Sequence, residues 1–156
     1  GFPKGIENLK KLNLDDFIKE KVTRGLPLLG ICLGMQMLFK NSTEFSYNEG
    51  LNLINGNVMR INNPMVKLPH IGWNKIISTE NNKYSLNNIH QYFVHSYAAY
   101  NVNPNEIIYR CNYEKENLIV GIKKENIVGL QFHPERSGIF GINLIREIIF
   151  DLLKSN

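Results

Sequence analysis

Cys32 lies between two glycines, in Leu29-Gly30-Ile31-Cys32-Leu33-Gly34-Met35-Gln36. Glycines two residues before and two after a nucleophile mark an elbow, where a strand turns sharply into a helix and pushes one side chain out of the bend. Strand and helix then pass so closely that both flanking positions must be tiny. The thiol would stand at the carboxyl end of a strand, where open α/β sheets place their chemistry. It would also stand at a helix N-terminus, whose partial positive charge favours a thiolate. The elbow alone also fits a buried apolar cysteine between packing glycines.

A nucleophilic thiol needs a base, and the base needs an orienting group. Gln131-Phe132-His133-Pro134-Glu135 offers both. Pro134 biases His133 towards extended backbone. Residues i and i+2 of an extended segment share a face, so Glu135 can take the ring N–H of His133. In isolation such a pair is more simply an exposed turn. Beside the cysteine elbow it becomes a catalytic candidate, because each motif supplies what the other lacks. His95, in Phe93-Val94-His95-Ser96-Tyr97, competes for the base role but has no carboxylate near it in sequence. A substrate-side or structural role suits it better. His70 and His90 read as loop or core residues. No His/Cys spacing fits a metal finger, so no metal is expected.

These residues need a frame. Leu26, Leu28, Leu29 and Ile31 predict a strand covered on both faces. Ile6 to Thr23 predicts surface helix in two pieces, and Gly34 to Lys40 a helix after the elbow. Asn41 to Gly50 is polar and predicts a loop. Asn55-Gly56 is a turn signal. Further strands are expected at Val58–Ile61, within Leu68–Ile77, at Gln91–Ala98 and at Glu106–Tyr113. Leu118–Lys123 and Ile127–Phe132 predict a hairpin. Ser137 to Lys154 predicts a well-buried helix, apolar over a wide stripe. The order suggests an α/β three-layer domain with antiparallel strands in its later half.

The composition is that of a globular chain of 156 residues, 43% hydrophobic and 21% charged, enough for one core. The net charge of +4 is scattered rather than clustered, which gives no support to a nucleic-acid surface. No apolar run reaches a membrane span. Gly1-Phe2-Pro3-Lys4 shows no secretory signal, so two reduced thiols in the cytoplasm are expected.

Gly30-Ile31-Cys32-Leu33-Gly34-Met35-Gln36 and Gln131-Phe132-His133-Pro134-Glu135 together resemble the triad-type, class I glutamine amidotransferases. Pro69-His70-Ile71-Gly72-Trp73-Asn74 and Tyr92-Phe93-Val94-His95-Ser96-Tyr97, with Glu135-Arg136-Ser137-Gly138, resemble the glutaminase subunit of imidazole glycerol phosphate synthase. The resemblance implies a three-layer flavodoxin-like fold with a mixed sheet and no cofactor. It implies a triad of Cys32, His133 and Glu135, with Leu33 as oxyanion donor. Gln36 would line the glutamine pocket, and His95, Ser96 and Tyr97 would close its other side. The partner would be a cyclase subunit with a (β/α)8 barrel, forming a heterodimer, with Pro69–Asn74 near it. Delivery of ammonia to a sugar-modifying synthase, a stand-alone γ-glutamyl hydrolase and an inactive docking subunit are the competing functions. Family members begin with a further strand, helix, strand and glycine-rich loop. Residues 1–156 are therefore expected to form a glutamine amidotransferase domain shortened at its N-terminus, without the first strands of the sheet.

Overall fold

A computed structural model describes residues 1–154. Two short helices open the chain, α1 (Phe2–Lys11) and α2 (Leu14–Thr23), joined at Asn13 in the left-handed conformation. Ten-residue helices are marginal alone. They hold because Phe2, Ile6 and Val22 are buried in a shared core. β1 (Leu28–Ile31) follows, then the one-and-a-half-turn helix α3 (Leu33–Met37). β2 (Phe39–Ser42), β3 (Asn48–Glu49) and β4 (Ile54–Arg60) come next. β5 (His70–Ser78) and β6 (Ile89–His95) form a long hairpin, and β7 (Tyr97–Tyr100) continues from β6 after a break at Ser96. β8 (Ile107–Tyr113), β9 (Glu116–Lys124), β10 (Ile127–Leu130) and the helix α4 (Gly138–Lys154) complete the described chain.

The strands form one mixed sheet in the order β3-β2-β4-β7-β9-β8-β5-β6, with β10 beside β9 and β1 beside β10. β1 and β10 run parallel, Ile31 opposite Leu130. The β10 side chains alternate between two cores, which makes the three layers. Val128 and Leu130 pack with Leu144, Ile148 and Leu152 of α4. Ile127, on the other face, packs with Phe2, Ile6 and Met35. Burying each large α4 side chain contributes about 2 kcal/mol relative to leaving it in water.

Several local expectations are corrected. The helix after the elbow stops at Met37 rather than Lys40. The carbonyls of Met37, Leu38 and Phe39 accept from the amides of Leu51, Leu53 and Asn52, so partners distant in sequence displace the helical ones. Polar Asn41 and Ser42 lie in a strand rather than a loop, both buried and paired with Asn57 and Val58 of β4. Asn55-Gly56 makes no turn. It lies within β4 where the register against β2 slips, with Gly56 at φ +139°. A Cβ there would press to 2.9 Å from the Tyr100 carbonyl oxygen. The turn signal has become a bulge. β1 is only half-buried at Leu28, Leu29 and Ile31, because among the described residues it pairs with β10 alone. α4 is buried along Gly141, Leu144, Ile148 and Leu152, whereas Ile139, Phe140, Phe150 and Leu153 are exposed. Its apolar stripe is wider than the one sheet face it covers.

Candidate active site

β1 delivers Cys32 to the expected bend. The Cys32 N–H donates to the Leu130 carbonyl at 2.7 Å, the last rung of the parallel β1–β10 pair. The next step of chain then turns at φ 51°, ψ −108°, a strained conformation for a residue with a Cβ. Gly30 is required by close approach, since a Cβ there would meet the Gly34 carbonyl oxygen at 2.7 Å. The expectation for Gly34 is corrected: a Cβ at that position would meet nothing within 4 Å. The tight passage runs through Gly30 alone.

β10 delivers the second half. Three residues beyond Leu130 the chain reaches His133, whose Nδ1 lies 2.6 Å from Glu135 Oε1. A 3-10 turn at Pro134–Arg136 gives this pair its geometry. β6 clamps the turn from the side. The His133 N–H donates to the Tyr92 carbonyl at 2.9 Å. The Ser137 hydroxyl accepts from the Tyr92 N–H at 2.9 Å and donates to the His133 carbonyl at 2.6 Å. Arg136 lies over the Tyr92 ring at 4.4 Å. Cys32 and His133 are thus carried out at the same ends of two adjacent parallel strands, and the Glu135 charge acts on the thiol.

Cys32 borders a cavity of about 350 Å³ lined also by Gly1, Leu33, Gln36, Glu44, Val94, His95, Ser96 and Tyr97. Every expected pocket residue is among them. Gln36 is buried and donates to the Tyr97 carbonyl at 3.1 Å and to Gln131 Oε1 at 3.0 Å. The Gln131 amide in turn lies 3.8 Å from Cys32 Sγ. Burial raises the thiol above its usual range. The Leu33 N–H bond works in the opposite direction and does not outweigh it, so the thiolate expectation is corrected. A five-residue helix carries too little dipole to compensate for desolvation. The thiol therefore has to lose its proton to a base rather than stand ionised.

Glu44 and Gln131 were missed in the sequence. Glu44 lies in what reads as a polar loop, and its carboxylate accepts the Phe2 N–H at 2.5 Å. Gln131 looks like one more residue before the histidine, yet it is fully buried beside the thiol. Cys111 is sealed in the core, with its thiol pushed up to about 12 by burial. Among the described residues no cluster of three or more His, Cys, Asp or Glu is placed to hold a metal. A larger hollow of about 540 Å³ beside α4, lined by Lys83, Tyr84, Arg146 and Asp151, contains no such nucleophile and base.

The model of the glutamine amidotransferase class-I family matches residues 4–151. The chain belongs to the class-I glutamine amidotransferases. Within them, two relatives are subunits of one enzyme. It is 38% identical over 161 residues to "Imidazole glycerol phosphate synthase subunit HisH 1" of Legionella pneumophila (strain Paris), covering 95% of this chain and 76% of that one. The HisH subunit of Oceanobacillus iheyensis is 42% identical over 149 residues, covering 93% and 73%. Amidotransferases also share the fold at much lower identity. A solved structure described as glutamine amidotransferase superposes with TM-score 0.70 at 18% identity, covering 92% of this chain and 70% of that one. PurLQS from Thermotoga maritima gives 0.65 at 21%, covering 89% and 68%. As a class-I amidotransferase of the HisH kind, the chain is a glutaminase by family. Among the described residues no helix is long and apolar enough to cross a membrane.

Proposed function

We propose that this chain, taken as one glutamine amidotransferase domain over residues 1–156, hydrolyses glutamine and supplies the ammonia to a cyclase partner within an imidazole glycerol phosphate synthase of histidine biosynthesis. One observation carries the assignment of roles. A strained cysteine and a carboxylate-braced histidine leave the same ends of adjacent parallel strands, and the cysteine borders a cavity that the Glu44 carboxylate also lines.

His133 takes the Cys32 proton as the sulfur attacks the side-chain carbonyl carbon of glutamine. Glu135 fixes the ring orientation and stabilises the imidazolium. The Leu33 N–H, at the start of α3, has no intrahelical acceptor and faces the Cys32 sulfur. As the sulfur attacks, it turns to the tetrahedral oxyanion. Collapse of that intermediate breaks the C–N bond, and His133 returns the proton to the departing ammonia. Water then attacks the thioester with His133 as base. Glutamate leaves and the sulfur is reprotonated. Both amide hydrogens of Gln36 are engaged by Tyr97 and Gln131, so towards a ligand it offers its oxygen. That oxygen and the Glu44 carboxylate suit the α-ammonium of glutamine. The Ser96 and Tyr97 backbone suits its α-carboxylate.

The partner face is the outer side of the β5–β6 hairpin. Ile71 pairs with Val94 there, and Trp73 with Tyr92. Ile71 is 57% and Trp73 53% exposed, a concentration of large apolar surface that fits a permanent subunit contact. The cyclase (β/α)8 barrel is its proposed occupant, in a heterodimer. The proposed setting is the cytoplasm, which would keep the two free thiols reduced. The test is glutamate release by the purified chain with and without the cyclase. Release that rises with the cyclase is expected. No release in either case would end the reading.

A further inference from the structure

A pair of histidines, His95 in the cavity wall and His70 behind it, is not used by the mechanism above. β5 and β6 set His70 directly opposite His95. His70 is fully buried, between Phe93 at 4.5 Å and Tyr113 at 3.8 Å, with both rings stacked on it. Its Nδ1 lies 2.8 Å from His95 Nε2. Its Nε2 lies 2.8 Å from Asn74 Oδ1. His95 Nδ1 lies 2.8 Å from the Tyr97 carbonyl oxygen, the same oxygen that accepts from Gln36. A continuous chain therefore runs from Asn74 through both rings to the Tyr97 carbonyl and on through Gln36 and Gln131 towards Cys32.

The direction of this chain follows from counting protons. Its three contacts around the two rings need three N–H groups. A backbone carbonyl only accepts, so His95 carries its proton on Nδ1. The Nε2 of a neutral His95 then accepts, so His70 donates from Nδ1. A neutral His70 accepts at Nε2, so the proton count requires the Asn74 amide to be flipped end for end, with Nδ2 in the place of Oδ1 as the third donor. A charged ring would supply the third proton instead. Burial opposes that at both rings, pushing His70 down and His95 down to about 4.

We propose that His70 is a positioning residue of the glutaminase reaction, acting through His95 to fix the Tyr97 carbonyl and the Gln36 amide that together shape the glutamine pocket. The proposal rests on the glutaminase reading. Ser96 is the break between β6 and β7, so sheet pairing alone does not hold the wall at this point. Two donors converge on one carbonyl there, and His70 holds one of them in register.

The test uses the complex with the cyclase. His70→Phe keeps the aromatic sandwich and removes the donor. It should raise the KM for glutamine about tenfold while kcat changes less than about threefold. His70→Asn places an amide N–H near the lost Nδ1 and should return KM to within about threefold of the parent. Unchanged KM in His70→Phe, or no recovery in His70→Asn, overturns the proposal. Nitrogen NMR of the parent chain is an independent arm, informative even if His70→Phe does not fold. Both rings should be neutral at pH 7 with the proton on Nδ1, and any other pattern overturns the relay. If the parent complex releases no glutamate, the glutaminase reading fails, whereas the nitrogen spectrum still decides the relay.

Discussion

Two regions of the molecule hold a histidine against a polar partner, and the partners differ in kind. At the ends of β1 and β10, His133 leans on the carboxylate of Glu135, near the surface and at the strand ends that also carry the thiol. In the β5–β6 hairpin, His95 leans on His70, deep in the protein and on another neutral ring. A carboxylate partner lets an imidazole become charged and return, as a proton shuttle must. A buried ring partner opposes that charge and gives a fixed direction of hydrogen bonding instead. In the proposed mechanism the first region moves a proton and the second keeps one still.

The comparison breaks first if Cys32 is not the nucleophile that His133 serves. Cys32→Ala should abolish glutamine-dependent product formation by the complex, a loss of roughly a thousandfold or more. Synthesis from added ammonium should persist. Glutamine-dependent turnover that survives the change would remove the assignment. His133→Ala comes next, with an expected loss in kcat of about a hundredfold or more in single-turnover glutaminase kinetics. Glu135→Gln should cost less, on the order of tenfold, because its carboxylate is well exposed and screened by water.

The hairpin pair can be separated from the catalytic pair by acid. The folded His95 titrates near 4, below an ordinary histidine, chiefly because of burial, with His70 and His133 adding repulsion. The unfolded chain therefore binds the proton first. The stabilisation is complete above about pH 6.5 and is lost as pH falls towards 4. A loss of order 3 kcal/mol is expected, read as a falling urea midpoint across that window. A flat midpoint would show that the ring is not buried neutral. The smallest effect belongs to Cys111, a thiol in neither region. Cys111→Ser should leave glutaminase turnover unchanged and lower stability by about 1–2 kcal/mol in urea unfolding. In the folded protein iodoacetamide should modify Cys32 well before Cys111.

The same contrast separates what could be read in one dimension from what could not. His133 and Glu135 are two residues apart, so local backbone geometry alone proposes their contact. The elbow at Cys32 is equally local, set by one glycine that must pass under the helix. The apolar spacing of the strands and of α4 placed most elements for the same reason. By contrast, His70 and His95 meet through the register of a hairpin, 25 residues apart. Glu44 reaches the cavity only because β2 leaves α3 early, drawn by hydrogen bonds from the 51–54 segment. Asn55-Gly56 carries a turn signal that pairing between β2 and β4 converted to a bulge. The amino-acid order by itself pointed to the candidate nucleophile, its candidate base and the family, because bond geometry over a few residues suffices for them. Only the tertiary structure decided the cavity lining, the neutral buried ring pair and the exposed side of α4, because burial and cross-strand register belong to no short segment.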